Sequence, residues 1–200
     1  MNDPELQNTR INWSEGTWTN EPAITHITDD GVLHVTAVEG SDAWRHTAYG
    51  FVHESEHALG VTFAPGTSME VDFGTNFTGE FDQAGLYVRV SNEHWVKAGV
   101  EFADGAPQLG AVVTRGTSDW SSAQAPEWGN TRVSIRVSWR NDALTFRARR
   151  TGTDWQLLRV LPLTEQDGVT AGPFVCGPTH AGLEVPFYGW RVGSPDTSIH

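Results

Sequence analysis

His53-Glu54-Ser55-Glu56-His57 spells HExxH, with Gly60 three residues further on. On a helix this pattern turns two imidazoles toward one zinc ion and a glutamate toward the attacking water. The flanks here are TAYGFV and VTFAP, which are strand-like, and seven residues cannot build the helix. A third histidine at the extended spacing would fall on Phe63, and Met69 is too near for a supporting turn. The motif therefore reads as a strand-connecting loop, and no metal is expected. Paired carboxylates are the next chemistry to consider, because glycoside cleavage needs two acids flanking the sugar bond. Glu70-Val71-Asp72 puts two acids on one strand face with no third acid nearby, while Asp82 and Glu101 are the better-placed single acids. Lys97 is the only lysine beside 12 arginines. If Asn92-Glu93-His94 is a three-residue loop, Lys97 lies opposite Arg89, and two like charges so placed call for Glu101 or an anionic ligand. Trp95 and Trp120 lie among polar neighbours, where an indole can stack on a sugar ring and donate its N–H. Cys176, in GPFVCGP, has apolar neighbours and reads as a buried inert thiol.

These residues need strands to hold them. Period-2 alternation recurs over 31–38, 44–52, 68–77, 83–90, 95–102, 109–114, 131–139, 144–150 and 155–161, and no window of 12 residues keeps a helical period. Many short strands broken by Asp104-Gly105, Asn141-Asp142 and Thr151-Gly152 predict an antiparallel β-sandwich or barrel. The register can be checked at Asn141-Asp142. A two-residue turn there pairs Trp139 with Leu144, Val137 with Phe146 and Ile135 with Ala148, so one face is apolar. The opposite face carries Arg136, Arg147 and Arg149 among serines. In residues 83–103, Leu86, Val88, Val96, Ala98 and Val100 face the core. Gln83, Tyr87, Arg89, Trp95, Lys97 and Glu101 share the other face, a mixed aromatic and charged surface suited to a ligand.

Composition narrows the partners. The chain of 200 residues carries a net charge of −12, with 21 glycines and nine tryptophans. Residues 1–101 hold 16 acids and 4 bases; residues 102–200 hold 9 of each. A net charge of −12 argues against a general nucleic-acid binder, which needs a basic face, and against docking on anionic membranes. No apolar run is long enough to span a bilayer. The polar, acidic N-terminus has no secretory pattern, so a cytoplasmic location is expected. One domain over 8–193 is the simplest division, with 1–7 and 194–200 as loose termini.

Five blocks in order, DAWRHTAYGF (42–51), FDQAGLYVRV (81–90), HWVKAGVEFADG (94–105), VVTRGTSDWS (112–121) and AGPFVCGP (171–178), resemble the regulation-of-enolase family of concanavalin A-like domains. The resemblance runs from Trp13 to about Trp190. It implies an all-β, antiparallel jelly-roll sandwich of the lectin and glucanase type. The family's hallmark positions fall on Trp44, Arg45, Tyr49, Gly50, Asp82, Gln83, Gly85, Arg89, Trp95, Lys97, Gly99, Glu101, Asp119, Trp120 and Cys176. Ala43 stands where an aromatic is usual, which would open one wall of the site. His57 sits where the family also tends to have a histidine, without HExxH.

The candidate ligand-binding set is therefore Arg45, Gln83, Tyr87, Arg89, Trp95, Lys97 and Glu101, with Asp119 and Trp120 from an adjoining loop. Arg45, Arg89 and Lys97 would hold an anionic group, Gln83 and Glu101 would bond hydroxyls, and Trp95 and Trp120 would stack on a ring. The expected activity is binding of a carbohydrate or sugar-derived anion on the concave sheet face, tied to sugar metabolism and without a cofactor. The alternatives are a glycan-active enzyme using Glu101 or Asp82, and a protein-interaction domain whose acidic half meets a basic partner.

Overall fold

A computed structural model describes residues 8–199. The expected loose segment 1–7 lies outside them. Alternating burial turns the sequence into strands that pack two sheets face to face. The larger sheet contains β1 (Thr9–Arg10), β3 (Ile24–Ile27), β4 (Leu33–Thr36), β8 (Thr67–Gly74), β13 (Arg132–Arg140), β14 (Ala143–Arg150), β15 (Gln156–Pro162) and β17 (Glu184–Gly193). Its order is β15-β14-β13-β8-β17-β4-β3, with β1 added to β17. The seven-stranded sheet contains β2 (Thr17–Trp18), β7 (His57–Thr62), β9 (Gln83–Ser91), β10 (His94–Ala103), β11 (Ala106–Arg115), β12 (Thr117–Gln124) and β16 (Thr170–Cys176). Its order is β12-β11-β10-β9-β16-β7-β2. A short hairpin of β5 (Ala43–Arg45) and β6 (Val52–Glu54) forms a third, two-stranded sheet. The strand ladders are antiparallel throughout, as a jelly roll requires.

The core lies between the two large sheets. Val71, Ile135, Val137, Trp139 and Phe146 from one meet Leu86, Val88, Val96 and Ala98 from the other. The expected pairing across Asn141-Asp142 is present residue for residue. The face assignment of 83–103 also stands, but its pairing is corrected by one pleat. A shorter turn and a bulge between His94 and Trp95 set Lys97 opposite Tyr87 and Trp95 opposite Arg89. The two cations are therefore not paired. Gly85 faces Gly99 in this ladder, and a Cβ on Gly99 would lie 2.1 Å from the Ala84 carbonyl oxygen. The strands approach too closely there for any side chain.

Three further expectations change. Residues 44–52 do not form one strand. His46, Ala48 and Gly50 take positive φ (62°, 62° and 74°), which folds the segment into the β5–β6 hairpin. Asp119 and Trp120 lie on the edge strand β12, not in a loop; its exposed, polar sequence lacks the alternation that marks a half-buried strand. Residues 194–198, expected to be loose, hydrogen-bond across the outer face of the larger sheet.

Candidate functional site

The outer face of the seven-stranded sheet carries the expected residues, but the β5–β6 hairpin lies on it as a flap. Beneath the flap a second apolar cluster forms from Ala43, Ala58, Tyr87, Trp95, Val112, Phe174 and Cys176. Trp95 and Tyr87 stack at 5.6 Å and are only 2% and 3% exposed. Their rings pack under the flap. Lys97 is 5% exposed, and its Nζ donates to Asp42 Oδ1 at 2.9 Å. Asp42 also accepts from Gln83 Nε2 at 3.3 Å. The ammonium holds the Asp42 carboxyl below the usual range despite burial. Asp42, just ahead of β5, was not among the expected residues; an acid three positions before Arg45 carries no sign of reaching a lysine 55 residues on. Cys176, 0% exposed, is held in the thiol form by burial.

Arg45 is a clamp rather than a free anion site. It pairs with Glu54 across the flap, donates to Glu93 Oε1 at 2.8 Å, and its Nε donates to the Gly116 carbonyl at 3.2 Å. Its own amide donates to Ser118 Oγ at 3.0 Å, which ties the flap to β12. Arg89 bonds Asn92 and forms no ion pair among the described residues. It lines a cleft of about 870 Å³ on the β2–β7–β16 side of the flap. Tyr87, Trp95, Trp18, Asn20, Glu56 and Thr170 share the wall. Burial raises the pKa of the Glu56 carboxyl.

On the other side of the flap is a dimple lined by Gln83, Lys97, Glu101, Gln108, Trp120 and Ser122. Desolvation lifts the Glu101 pKa to about 7, against the pull of Lys97. Trp120 is 42% exposed and meets Trp44 edge-on at 6.4 Å. Asp119 is exposed and pairs with Arg159 at 3.4 Å. The flap thus divides the expected set: Tyr87, Arg89 and Trp95 on one side, Gln83, Lys97, Glu101 and Trp120 on the other. Asp82 joins neither group; it is fully buried, and its Oδ2 accepts the amides of Thr78 and Gly79. Glu70 and Asp72 sit on the other sheet, bound to arginines.

The HExxH residues are divided between two strands. His53 lies on β6 and His57 on β7. The His57 Nδ1–H donates to the Asn20 carbonyl, and its Nε2 accepts from the Val38 amide, each at 3.0 Å. Both nitrogens are used, so this imidazole has no lone pair for a metal.

Two facing antiparallel sheets with a cleft on one outer face make this a jelly-roll β-sandwich. The chain belongs to the family described as protein of unknown function (DUF1349), whose model matches residues 18–195. It is 35% identical over 192 residues to "Regulation of enolase protein 1" of Saccharomyces cerevisiae, spanning 96% of this chain and 94% of that one. A solved structure described as a functionally unknown protein from Saccharomyces cerevisiae superposes with a TM-score of 0.86 at 33% identity, covering 93% of this chain and all of that one. A Bacteroides ovatus structure, "Xyloglucan PUL GH43B", shares the fold at a TM-score of 0.70 and 13% identity; this chain covers 40% of its length. No helix among the described residues is long and apolar enough to cross a membrane.

Proposed function

We propose that the protein is a binding module for a carbohydrate or sugar-derived anion, seated in the cleft beside the flap. The observation that carries this reading is Arg89, a cation without a carboxylate partner, in a cleft of about 870 Å³ among aromatic, amide and hydroxyl groups. That volume lies in the range of small-ligand sites, which join apolar walls to a few polar groups. A ligand carboxylate or phosphate would pair with the guanidinium. Asn20, Glu56 and Thr170 would meet hydroxyls, and the Trp18 ring would cover an apolar sugar face. Arg45 and Lys97 serve the flap, so the anionic group falls to Arg89 alone. The dimple holding Glu101 and Trp120 supplies a second point of contact for a longer ligand. A role linked to sugar metabolism and a cytoplasmic location accompany this reading; a single buried free cysteine suits a reducing compartment.

Titration calorimetry with neutral sugars, uronic acids and sugar phosphates tests it. Arg89→Ala is expected to weaken an anionic sugar at least tenfold and leave the melting temperature near wild type. Equal binding by the variant, or no binding of any of the three classes to the wild type, would overturn the proposal.

A further inference from the structure

The outer face of the larger sheet plays no part in the proposed sugar site. Six arginines project from it: Arg132, Arg136 and Arg140 on β13, Arg147 and Arg149 on β14, and Arg191 on β17. The strands between and beside them offer three acids, Glu70 and Asp72 on β8 and Glu184 at the far end of β17, the last 2.9 Å from His34 Nδ1. Glu70 accepts from Arg191 at 2.9 Å and lies 3.5 Å from both Arg136 and Arg149; Asp72 accepts from Arg132 at 2.8 Å. Half of the 12 arginines in a chain of net charge −12 thus gather on one surface. Cations there outnumber the sheet's own carboxylates, so the face holds positive charge that its own acids do not cancel.

Residues 194–198 lie across this surface. Arg136 donates to the Ser194 carbonyl and Arg147 to the Ser198 carbonyl, each at 3.0 Å, and Arg140 donates to the Thr197 carbonyl. Ser68 Oγ donates to the Ser194 carbonyl at 2.8 Å, and the Asp196 amide donates to Ser138 Oγ at 3.0 Å. The Asp196 carboxylate sits between two guanidiniums, 3.1 Å from Nε of Arg136 and of Arg147. The Arg136 Nε is buried and does not complete a hydrogen bond with it. The neighbouring Ile199 stays 47% exposed, so no apolar anchor follows the acid. What the face reads is main-chain carbonyls plus one carboxylate. Arginine clusters recognise extended acidic peptides in this manner, indifferent to most of the accompanying side chains.

We propose that this arginine face is a docking site for an extended acidic segment of a partner protein, and that residues 194–198 occupy it in cis as a competitor. The partner's charge supports the assignment. An acidic segment is repelled by the acidic half of the chain and attracted only where the arginines gather, so the field orients it. Fluorescence anisotropy with a labelled Ser-Pro-Asp-Thr-Ser-Ile peptide and its Asp→Asn counterpart tests the proposal. The proteins are wild type, Asp196→Asn, Asp196→Lys and Asp196→Lys/Arg147→Glu, each compared by thermal melting. The peptide should bind both single variants at least tenfold tighter than wild type, and more weakly as salt rises. The Asp→Asn peptide should bind at least tenfold more weakly, and Arg147→Glu should abolish binding. Equal affinity for wild type and both single variants, or no peptide binding to any protein, would make the segment a fixed part of the fold. Tighter binding of a single-stranded oligonucleotide would overturn the peptide assignment. A wild-type dimer that either single variant dissolves would give the face to a second copy and overturn the cis competitor.

Discussion

Glu101 shows how one side chain's surroundings decide its chemistry. Its carboxyl ordinarily titrates near 4.5, and burial in the dimple moves that to about 7. The unfolded chain then releases the proton at lower pH than the folded chain does. Stability therefore falls as pH rises between these values and levels off above about 7. Glu101→Gln keeps the shape without the charge, so it should remove that decline and stabilise the protein at pH 8 by about 2 kcal/mol, partial exposure being allowed for. Denaturant melts of both proteins at pH 5 and pH 8 check this; parallel pH profiles would contradict it. Sequence showed Glu101 and Lys97 on one face through alternation alone. It did not show Asp42, because the contact spans 55 residues and depends on how the flap lies.

At the scale of elements, the β5–β6 flap decides which of the expected residues a ligand can touch. It is small, and polar links supply much of its attachment, with Arg45 at the centre. Glu54 and Glu93 are well exposed, so each ion pair contributes little. Arg45→Ala should cost about 1–2 kcal/mol through the lost carbonyl bond and ion pairs. It should also speed hydrogen exchange at residues 43–54 while leaving β9 and β10 protected. Uniformly faster exchange would mean that the flap and the sheet open together. The hairpin was not legible in WRHTAYGFV because β-branched and aromatic residues favour strand locally. Positive φ at His46 and Ala48 carries no residue signature as glycine would. Edge strand β12 escaped for the opposite reason: its exposed Ser and Gln residues bury too little to leave a pattern.

For the molecule as a whole, the division of charge between halves becomes a division between surfaces. The arginines of β13 and β14 gather on the outer face of the larger sheet around Glu70, which is 3% exposed. Glu70→Ala would leave Arg136 and Arg191 short of a buried counter-charge and should destabilise the fold by about 3–5 kcal/mol, read from chemical denaturation. A loss under about 1 kcal/mol would mean that Asp72 and Asp196 compensate. What the sequence by itself determined was the antiparallel all-β class, the apolar and polar faces of β9, β10, β13 and β14, and the arginine stripe. Those follow from the two-residue period of a strand, which is a local property. The shared motif blocks carried the family likeness as well. Only the tertiary structure decided that Lys97 answers Asp42, that the flap splits the expected site, that His57 spends both nitrogens on backbone, and that residues 194–198 cross the arginine face. Each of these depends on where distant segments cross in space, and alternation within a strand holds no record of that.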